Sequence, residues 1–255
     1  VDGSPKDYIL KIDPSDGSLV TNFSDDGWAQ APSADTEGIE YFDGYLYIIA
    51  NEGSGCCDQS RQLYKVNATT GAVESGFPKN LTDTAQVWDN LGDITNDGTN
   101  LVVWTKTNFN DVYKISTAGE QVSQNWVNGV NNWQGAKGLA YHPVQKMYYA
   151  VNGTQLSKLD TAFNQTGTAD LSVLSGGTTM SDVQGMTFSD SSPYNDLWMV
   201  SGTRVYHSFI SASVTTQPRG IAWSSSDATG LGGNESIWVL VDADPFDQIL
   251  RINTS

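Results

Sequence analysis

The chain has 255 residues, enough to bury a sizeable core as one all-β domain, and only 16% of them are charged. Twenty-nine acidic residues against 13 basic ones leave a formal charge of −16, which repels phosphate backbones and anionic lipid, so nucleic acid and membrane surfaces are poor partners. The longest apolar runs, such as Tyr45 to Ala50 and Ile237 to Val241, are strand-sized and too short for a membrane-spanning helix.

In chain order, the first strand signal is Ile9-Leu10-Lys11-Ile12-Asp13, an apolar run with a basic residue in its middle. A turn over Asp13-Pro14-Ser15-Asp16-Gly17 leads to a weak outer strand at Leu19–Phe23. The next unit is fuller. A strand opens at Gly38-Ile39, turns at Phe42-Asp43-Gly44, and returns as the apolar run Tyr45–Ala50. A basic strand follows at Leu63-Tyr64-Lys65-Val66-Asn67, then a turn through Thr70-Gly71 and a polar outer strand over Ala72–Phe77.

That order recurs. From Gly92-Asp93 it runs through the turn Asn96-Asp97-Gly98 and Leu101–Thr105 to Val112-Tyr113-Lys114-Ile115-Ser116. From Gly138-Leu139 it runs through Tyr141-His142-Pro143 and Met147–Val151 to Leu156-Ser157-Lys158-Leu159-Asp160. Gly185-Met186 leads to Leu197–Val200 and to Val205–Phe209, where His207 takes the basic place; Gly220-Ile221 leads to Ile237–Val241 and Ile249–Asn253, with Arg251.

The mid-strand basic residues are separated by 54, 49, 44, 49 and 44 positions, the length of a four-stranded repeat. The predicted fold class is therefore all-β: a β-propeller of five blades, or six, each a four-stranded antiparallel sheet, in a single domain over residues 1–255. Second strands are apolar on both sides because they would pack against blades on either flank. The mid-strand bases read as stems lying along a neighbouring blade with the charge reaching solvent.

The two ends of the chain match. Val1 to Ile12 aligns without gaps to Val241 to Ile252, and six third strands stand against five first and second strands. The terminal blade is thus expected to be shared between the termini or completed by a neighbour, which makes other copies of the chain, or adjoining repeats, its expected partners. The chain begins at Val1 without an initiator Met, so it is expected to be a piece of a longer or tandem precursor.

The stretch Thr36-Glu37-Gly38-Ile39-Glu40-Tyr41-Phe42-Asp43-Gly44-Tyr45-Leu46-Tyr47, with Leu63 to Asn67 and Thr70 to Val73, resembles secreted propellers of the glutamine cyclotransferase, phytase-like and PQQ-repeat groups. The resemblance covers about forty residues of the 255 and implies a blade template. In the cyclotransferases it implies acidic motifs in later blades, at positions matched here by Lys137, Gln184 and Arg219. In the PQQ enzymes it implies a vicinal disulfide against the cofactor, which the adjacent Cys56 and Cys57 would match.

Unusual residues cluster before the first-strand glycines: Glu37, Leu91, Lys137, Gln184 and Arg219, with Asp35, Asp89 and Asp182 upstream. Around one mouth they would form salt bridges and hydrogen bonds between blades, or a ligand-binding face together with the loop tryptophans Trp28, Trp88 and Trp133, which can stack on sugar rings. A calcium site would use Asp35, Glu37, Asp89 and Asp182; no other cofactor and no resident metal is expected.

Trp104, Trp198, Trp223 and Trp238 sit within strand patterns and read as core. The cysteines allow a strained vicinal disulfide, bridges to another chain, or free thiols. The two histidines, His142 and His207, have no evident nucleophile beside them, and no catalytic residues are assigned.

Seven Asn-x-Ser/Thr sequons, at Asn22, Asn67, Asn80, Asn152, Asn164, Asn234 and Asn253, favour an extracellular, cell-surface glycoprotein. The function this supports is a structural or adhesive module of a surface or fibrous assembly. The alternatives are a secreted enzyme of cyclotransferase or quinoprotein type and a carbohydrate-binding propeller.

Overall fold

The computed structural model describes residues 8–12, 19–23, 34–52, 60–87, 90–106, 111–127, 137–171, 182–188, 197–201, 204–207, 210–213, 217–224 and 236–242. Among these the chain is all-β apart from a single helical turn, and its strands form five four-stranded antiparallel sheets. A hairpin of β1 (Tyr8–Ile12) and β2 (Leu19–Phe23) comes first. One sheet follows with β3 (Ala34–Phe42), β4 (Tyr45–Glu52), β5 (Ser60–Asn67) and β6 (Lys79–Asn80), and α1 (Leu81–Thr84) after it.

The next sheet holds β7 (Leu91–Asn96), β8 (Leu101–Thr105), β9 (Asp111–Ile115) and β10 (Gln121–Trp126). Another holds β11 (Gly138–His142), β12 (Met147–Asn152), β13 (Gln155–Leu159) and β14 (Gln165–Asp170). A fourth holds β15 (Val183–Phe188), β16 (Leu197–Ser201), β17 (Arg204–His207) and β18 (Ile210–Ser213).

The last sheet starts with β19 (Gln217–Ser224) and β20 (Ser236–Asp242) and takes its other two strands from the opposite end of the chain, in the order β19-β20-β1-β2. Tyr8 faces Val241 and Ile12 faces Ile237. The chain's own hairpin therefore fills the third and fourth places of this sheet; the matching run at 248–253 lies outside the described residues. First strands neighbour one another along the chain: β3 lies beside β7, β7 beside β11, β11 beside β15, β15 beside β19, and β19 beside β3.

Alternation along the second strands explains their apolar sequences. In β4, Leu46, Ile48 and Ala50 join a core with Ile9, Ile39, Tyr64 and Val66, while Tyr47 and Ile49 face the other way into a core with Leu91, Leu101 and Val103. In β8, Val102 and Trp104 join Tyr148, Ala150 and Phe163 on the far side. A side-chain period of two thus feeds two different cores from one strand. Outer strands β10 and β14 are polar and largely exposed.

Three details differ from the sequence reading. Pairing of first with second strand skips one residue at the same place in four sheets, between Thr36 and Gly38, Leu91 and Asp93, Val183 and Gly185, and Pro218 and Gly220. The skipped residues are Glu37, Gly92, Gln184 and Arg219, so Gly92, not Leu91, matches Glu37, and Asp93 holds the place that is glycine elsewhere. A glycine one position early hid the shift.

The outer strand expected over 72–77 is replaced by the two-residue β6; Val73 makes only an isolated bridge to Val66. The cause is a turn, with Phe77 N–H donating to Glu74 C=O at 3.1 Å and Gly76 at φ 85°, which ends the ladder.

Of the mid-strand bases, Lys114 lies over rings of the next sheet, Tyr148 at 5.6 Å and Phe163 at 5.7 Å. Lys65 and Lys158 instead lie over Tyr45 and Tyr149 of their own sheets, at 4.0 and 5.8 Å, and Lys11 is buried rather than reaching solvent.

Candidate functional site

At the start of the first strands, the residues expected to form a binding face pair across neighbouring sheets. Glu37, on β3, accepts from Asn51 Nδ2 at 2.8 Å and forms an ion pair with Lys106, just beyond β8. Asn51 in turn holds both backbone groups of Leu91: its Oδ1 accepts from Leu91 N–H at 3.0 Å and its Nδ2 donates to Leu91 C=O at 3.3 Å. Lys137, just before β11, meets Asp182, just before β15, at 3.0 Å, and Gln184 also donates to Asp182.

Two separate ion pairs therefore staple two pairs of sheets. Glu37 and Asp182 each carry their own ammonium. Among the described residues no group of three or more His, Cys, Asp or Glu side chains is placed to hold a metal ion.

Asp35 and Arg219 are positioned by their backbones, in β3 and β19. Trp28, Cys56, Cys57, Trp88, Asp89 and Trp133 lie outside the described residues, as do Asn234 and Asn253. Trp104 and Trp198 are buried within β8 and β16. Trp223 and Trp238 lie in β19 and β20, and His207 in β17.

The remaining sequons fall at varied depths. Asn22 sits in β2. Asn67 caps a turn, accepting from Thr69 and Thr70 N–H at 2.9 and 3.0 Å. Asn80 caps α1 through Thr82 N–H at 3.0 Å, Asn152 ends β12, and Asn164 is exposed with its amide on Asp160.

Asp93 occupies the middle of β7. Its Oδ2 accepts from Leu139 N–H of β11 at 2.7 Å, and its Oδ1 from Ile94 N–H at 2.8 Å. Two places along, Thr95 Oγ1 accepts from Tyr141 N–H at 3.3 Å. Side chains of β7 thus satisfy N–H groups on the β11 edge that no strand pairs.

The carboxyl group has room because Gly38 lacks a side chain: a Cβ there would stand 2.4 Å from Asp93 Oδ1. Burial pushes the Asp93 carboxyl well above the usual carboxylate range, the two N–H groups work against that push, and the nearby Glu40 charge adds to it.

A cavity of about 570 Å³ lies at the other end of the first strands, where they turn into the second strands. Its lining includes Glu40, Thr95, Asn96, Tyr141, Thr187 and Phe188. The rim is built by turns. Asn96 Oδ1 accepts from Gly98 N–H at 3.0 Å, which fixes the amide so that its Nδ2 donates to Glu40 Oε1 at 3.0 Å and to Tyr41 C=O at 3.4 Å.

Beside it, Asp97 Oδ1 accepts from Thr99 and Asn100 N–H at 3.1 and 2.8 Å, and its Oδ2 takes Lys114 Nζ at 2.8 Å and the Tyr148 hydroxyl at 3.2 Å. Burial alone would raise the Asp97 carboxyl; the Lys114 ammonium and the turn N–H groups hold it below the usual range. The phenol of Tyr148 is pushed up, by burial first and by that carboxylate second.

His142, the last residue of β11, is buried with its ring 4.8 Å from that of Phe188, and its Nδ1 accepts from Gln145 N–H at 3.3 Å. Burial, then the Lys158 charge, lowers its pKa.

Sequence reasoning looked upstream of each glycine and passed over Glu40, Thr95 and Thr187, which stand two places downstream of Gly38, Asp93 and Gly185. The signal was the repeat itself, once its register was right.

No family model and no curated protein matches the chain. In structure it is similar to the major allergen Mala s 1 of Malassezia sympodialis, with a TM-score of 0.55 and 10% identity over 89% of this chain and 78% of that one. A protein of unknown function from Bacteroides caccae superposes with a TM-score of 0.44 and 11% identity, over 80% of this chain and 69% of that one. The likeness to the allergen speaks for a shared β-rich fold alone.

Proposed function

We propose that this chain is an extracellular five-bladed β-propeller acting as a recognition and adhesion module, with a ligand seat at the turn end of its first strands. The blade reading is supported by the return of β19 to β3 and by sheet-to-sheet cores fed from both faces of the second strands. The β1–β2 hairpin would then close the ring, and partner contacts would run through surfaces rather than through that sheet. The extracellular placement rests on the sequons, of which Asn164 is exposed.

One observation carries the recognition reading: the cavity of about 570 Å³ lies within the size range of small-molecule sites and draws side chains from several sheets. Amide NMR spectra recorded with a pool of small polar ligands, sugars, amines and acids together, test it. Shifts confined to Asn96, Tyr141, Thr187 and their neighbours are expected. If the pool moves none of these amides, the cavity is no ligand seat.

A further inference from the structure

We infer that the cavity at the turn end of the first strands takes a neutral sugar; the inference rests on the recognition reading and names the chemistry of its ligand. Three hydroxyl groups in the lining carry it. Thr187 is 5% exposed and lines the cavity, and among the described residues its hydroxyl has no hydrogen-bond partner. Thr95, at the matching place on β7, is buried too; its Oγ1 accepts from Tyr141 N–H at 3.3 Å, which leaves the hydroxyl hydrogen to donate elsewhere. The phenol of Tyr141 likewise has no partner among the described residues, and burial, then the Asp97 charge, raises its pKa, so it stays a donor. A buried hydroxyl with no partner costs free energy in the empty site, and a ligand that supplies one removes that cost.

Second, the lining offers what a sugar ring needs besides donors. Asn96 Oδ1 accepts from Gly98 N–H at 3.0 Å and keeps a second lone pair for a ligand hydroxyl. The rings of Tyr41, Tyr141 and Phe188 are half-buried in the lining and give flat apolar surface for the C–H face of a sugar. Two of these rings are held by neighbours: Tyr141 lies 4.9 Å from Tyr148, and Phe188 lies 4.8 Å from His142 and 5.0 Å from Tyr149.

Third, charged and purely apolar ligands fit less well. The buried carboxylates are already engaged: Asp97 by Lys114 and the Tyr148 hydroxyl, Glu40 by Asn96 and by further contacts. A cation would therefore compete with protein donors. An anion would meet the same carboxylates and the field of a chain carrying −16. A calcium ion wants six to eight oxygens, and the described residues gather no group of three acidic or imidazole ligands. An apolar ligand would leave the Thr187 and Tyr141 hydroxyls without partners.

The test uses the full chain with individual probes, each followed by isothermal titration and amide NMR. The sugars are glucose, galactose, mannose and N-acetylglucosamine, each also as its methyl glycoside; cadaverine, succinate and p-cresol stand for a cation, an anion and an apolar ring. At least one sugar is expected to bind and to shift the amides of Asn96, Tyr141 and Thr187, with an affinity that added salt leaves unchanged. Thr187→Val and Tyr141→Phe each remove one hydroxyl and keep the shape, and each is expected to weaken that binding by about twofold to tenfold. Thr187→Val should do so with no loss of stability towards urea, since no bond within the fold is lost. A methyl glycoside that binds as its free sugar does identifies the end of a glycan as the source; one that does not identifies a free sugar, and the inference stands in both cases.

If cadaverine, succinate or p-cresol binds at these amides and no sugar does, the seat stands and the sugar inference falls. It falls likewise if a sugar binds and neither variant weakens it. If no probe of any class moves these amides, the recognition reading falls with it. Should one variant fail to fold, the other and the ranking of probes on the wild-type chain still decide.

Discussion

Replacing Asp93 by Asn should change how stability depends on pH, and the sign follows from where the carboxyl group sits. Asp93 is buried between β3 and β11, and its native pKa lies well above its ordinary value, chiefly through burial. Between those two values the folded chain keeps a proton that the unfolded chain has lost. Stability therefore falls as pH rises through this window, by about 1.4 kcal/mol per pH unit, and is regained on the acid side.

Asp93→Asn cannot ionise, so it removes this slope. It also loses an acceptor for one of the two N–H groups, a cost of about 1–3 kcal/mol that does not vary with pH. Slopes, not midpoints, carry the test. Urea unfolding followed by tryptophan fluorescence at pH 4, 5, 6 and 7 should show the variant gaining on the wild type as pH rises. Parallel curves would mean that Asp93 ionises normally. A variant that loses ground with rising pH would mean that the N–H groups outweigh burial, and either result refutes the reasoning.

Three further outcomes are expected. Gly38→Ala should destabilise by about 1–3 kcal/mol, since its methyl would press on Asp93 Oδ1 at 2.4 Å and on backbone atoms at 3.0 Å; pairing it with Asp93→Gly should recover part of the loss in a double-mutant cycle. His142 should contribute an acid-side loss of opposite sign to that of Asp93, because its depressed native pKa means the unfolded chain binds the proton first; stability lost as pH falls below about 6.5 should shrink in His142→Asn, and an unchanged acid limb would exclude it. Deleting residues 1–24 should remove Ile9 from the core, worth about 1.5–3 kcal/mol, and bare the edge of β20; loss of the cooperative monomer is expected, and an unchanged urea transition would show that the hairpin is dispensable.

Much of the strand order was legible because the second strands must satisfy two neighbours. Leu101–Thr105 is fully buried and reads apolar at every position but its last, and a run of that length between turns leaves little choice of element. Asp43-Gly44 and Asp97-Gly98 marked their turns because the backbone there goes to positive φ, at Asp43 and both glycines. The hairpin donated to the last sheet was visible in the match between the two chain ends, although the match alone did not say which end would fill the place.

The site was less legible, for a reason that lies in β7. A repeat is aligned by its invariant-looking residue, and Gly92 supplied a glycine one position before the place where the other first strands have theirs. One residue of slip in a strand moves every side chain to the other face. With Gly92 in the glycine place, Asp93 would sit beside Ile39 and Thr95 beside Tyr41; with Asp93 there, Thr95 falls level with Glu40 and Thr187, and the polar end of the first strands comes together. The same substitution explains its own tolerance. A carboxyl group can take a glycine's place only where a neighbour has given up its side chain, as Gly38 has, and where unpaired N–H groups await an acceptor, as Leu139 does. Sequence periodicity registers size and polarity one residue at a time, whereas this position is set by a partner 46 residues away and by a glycine in the sheet before.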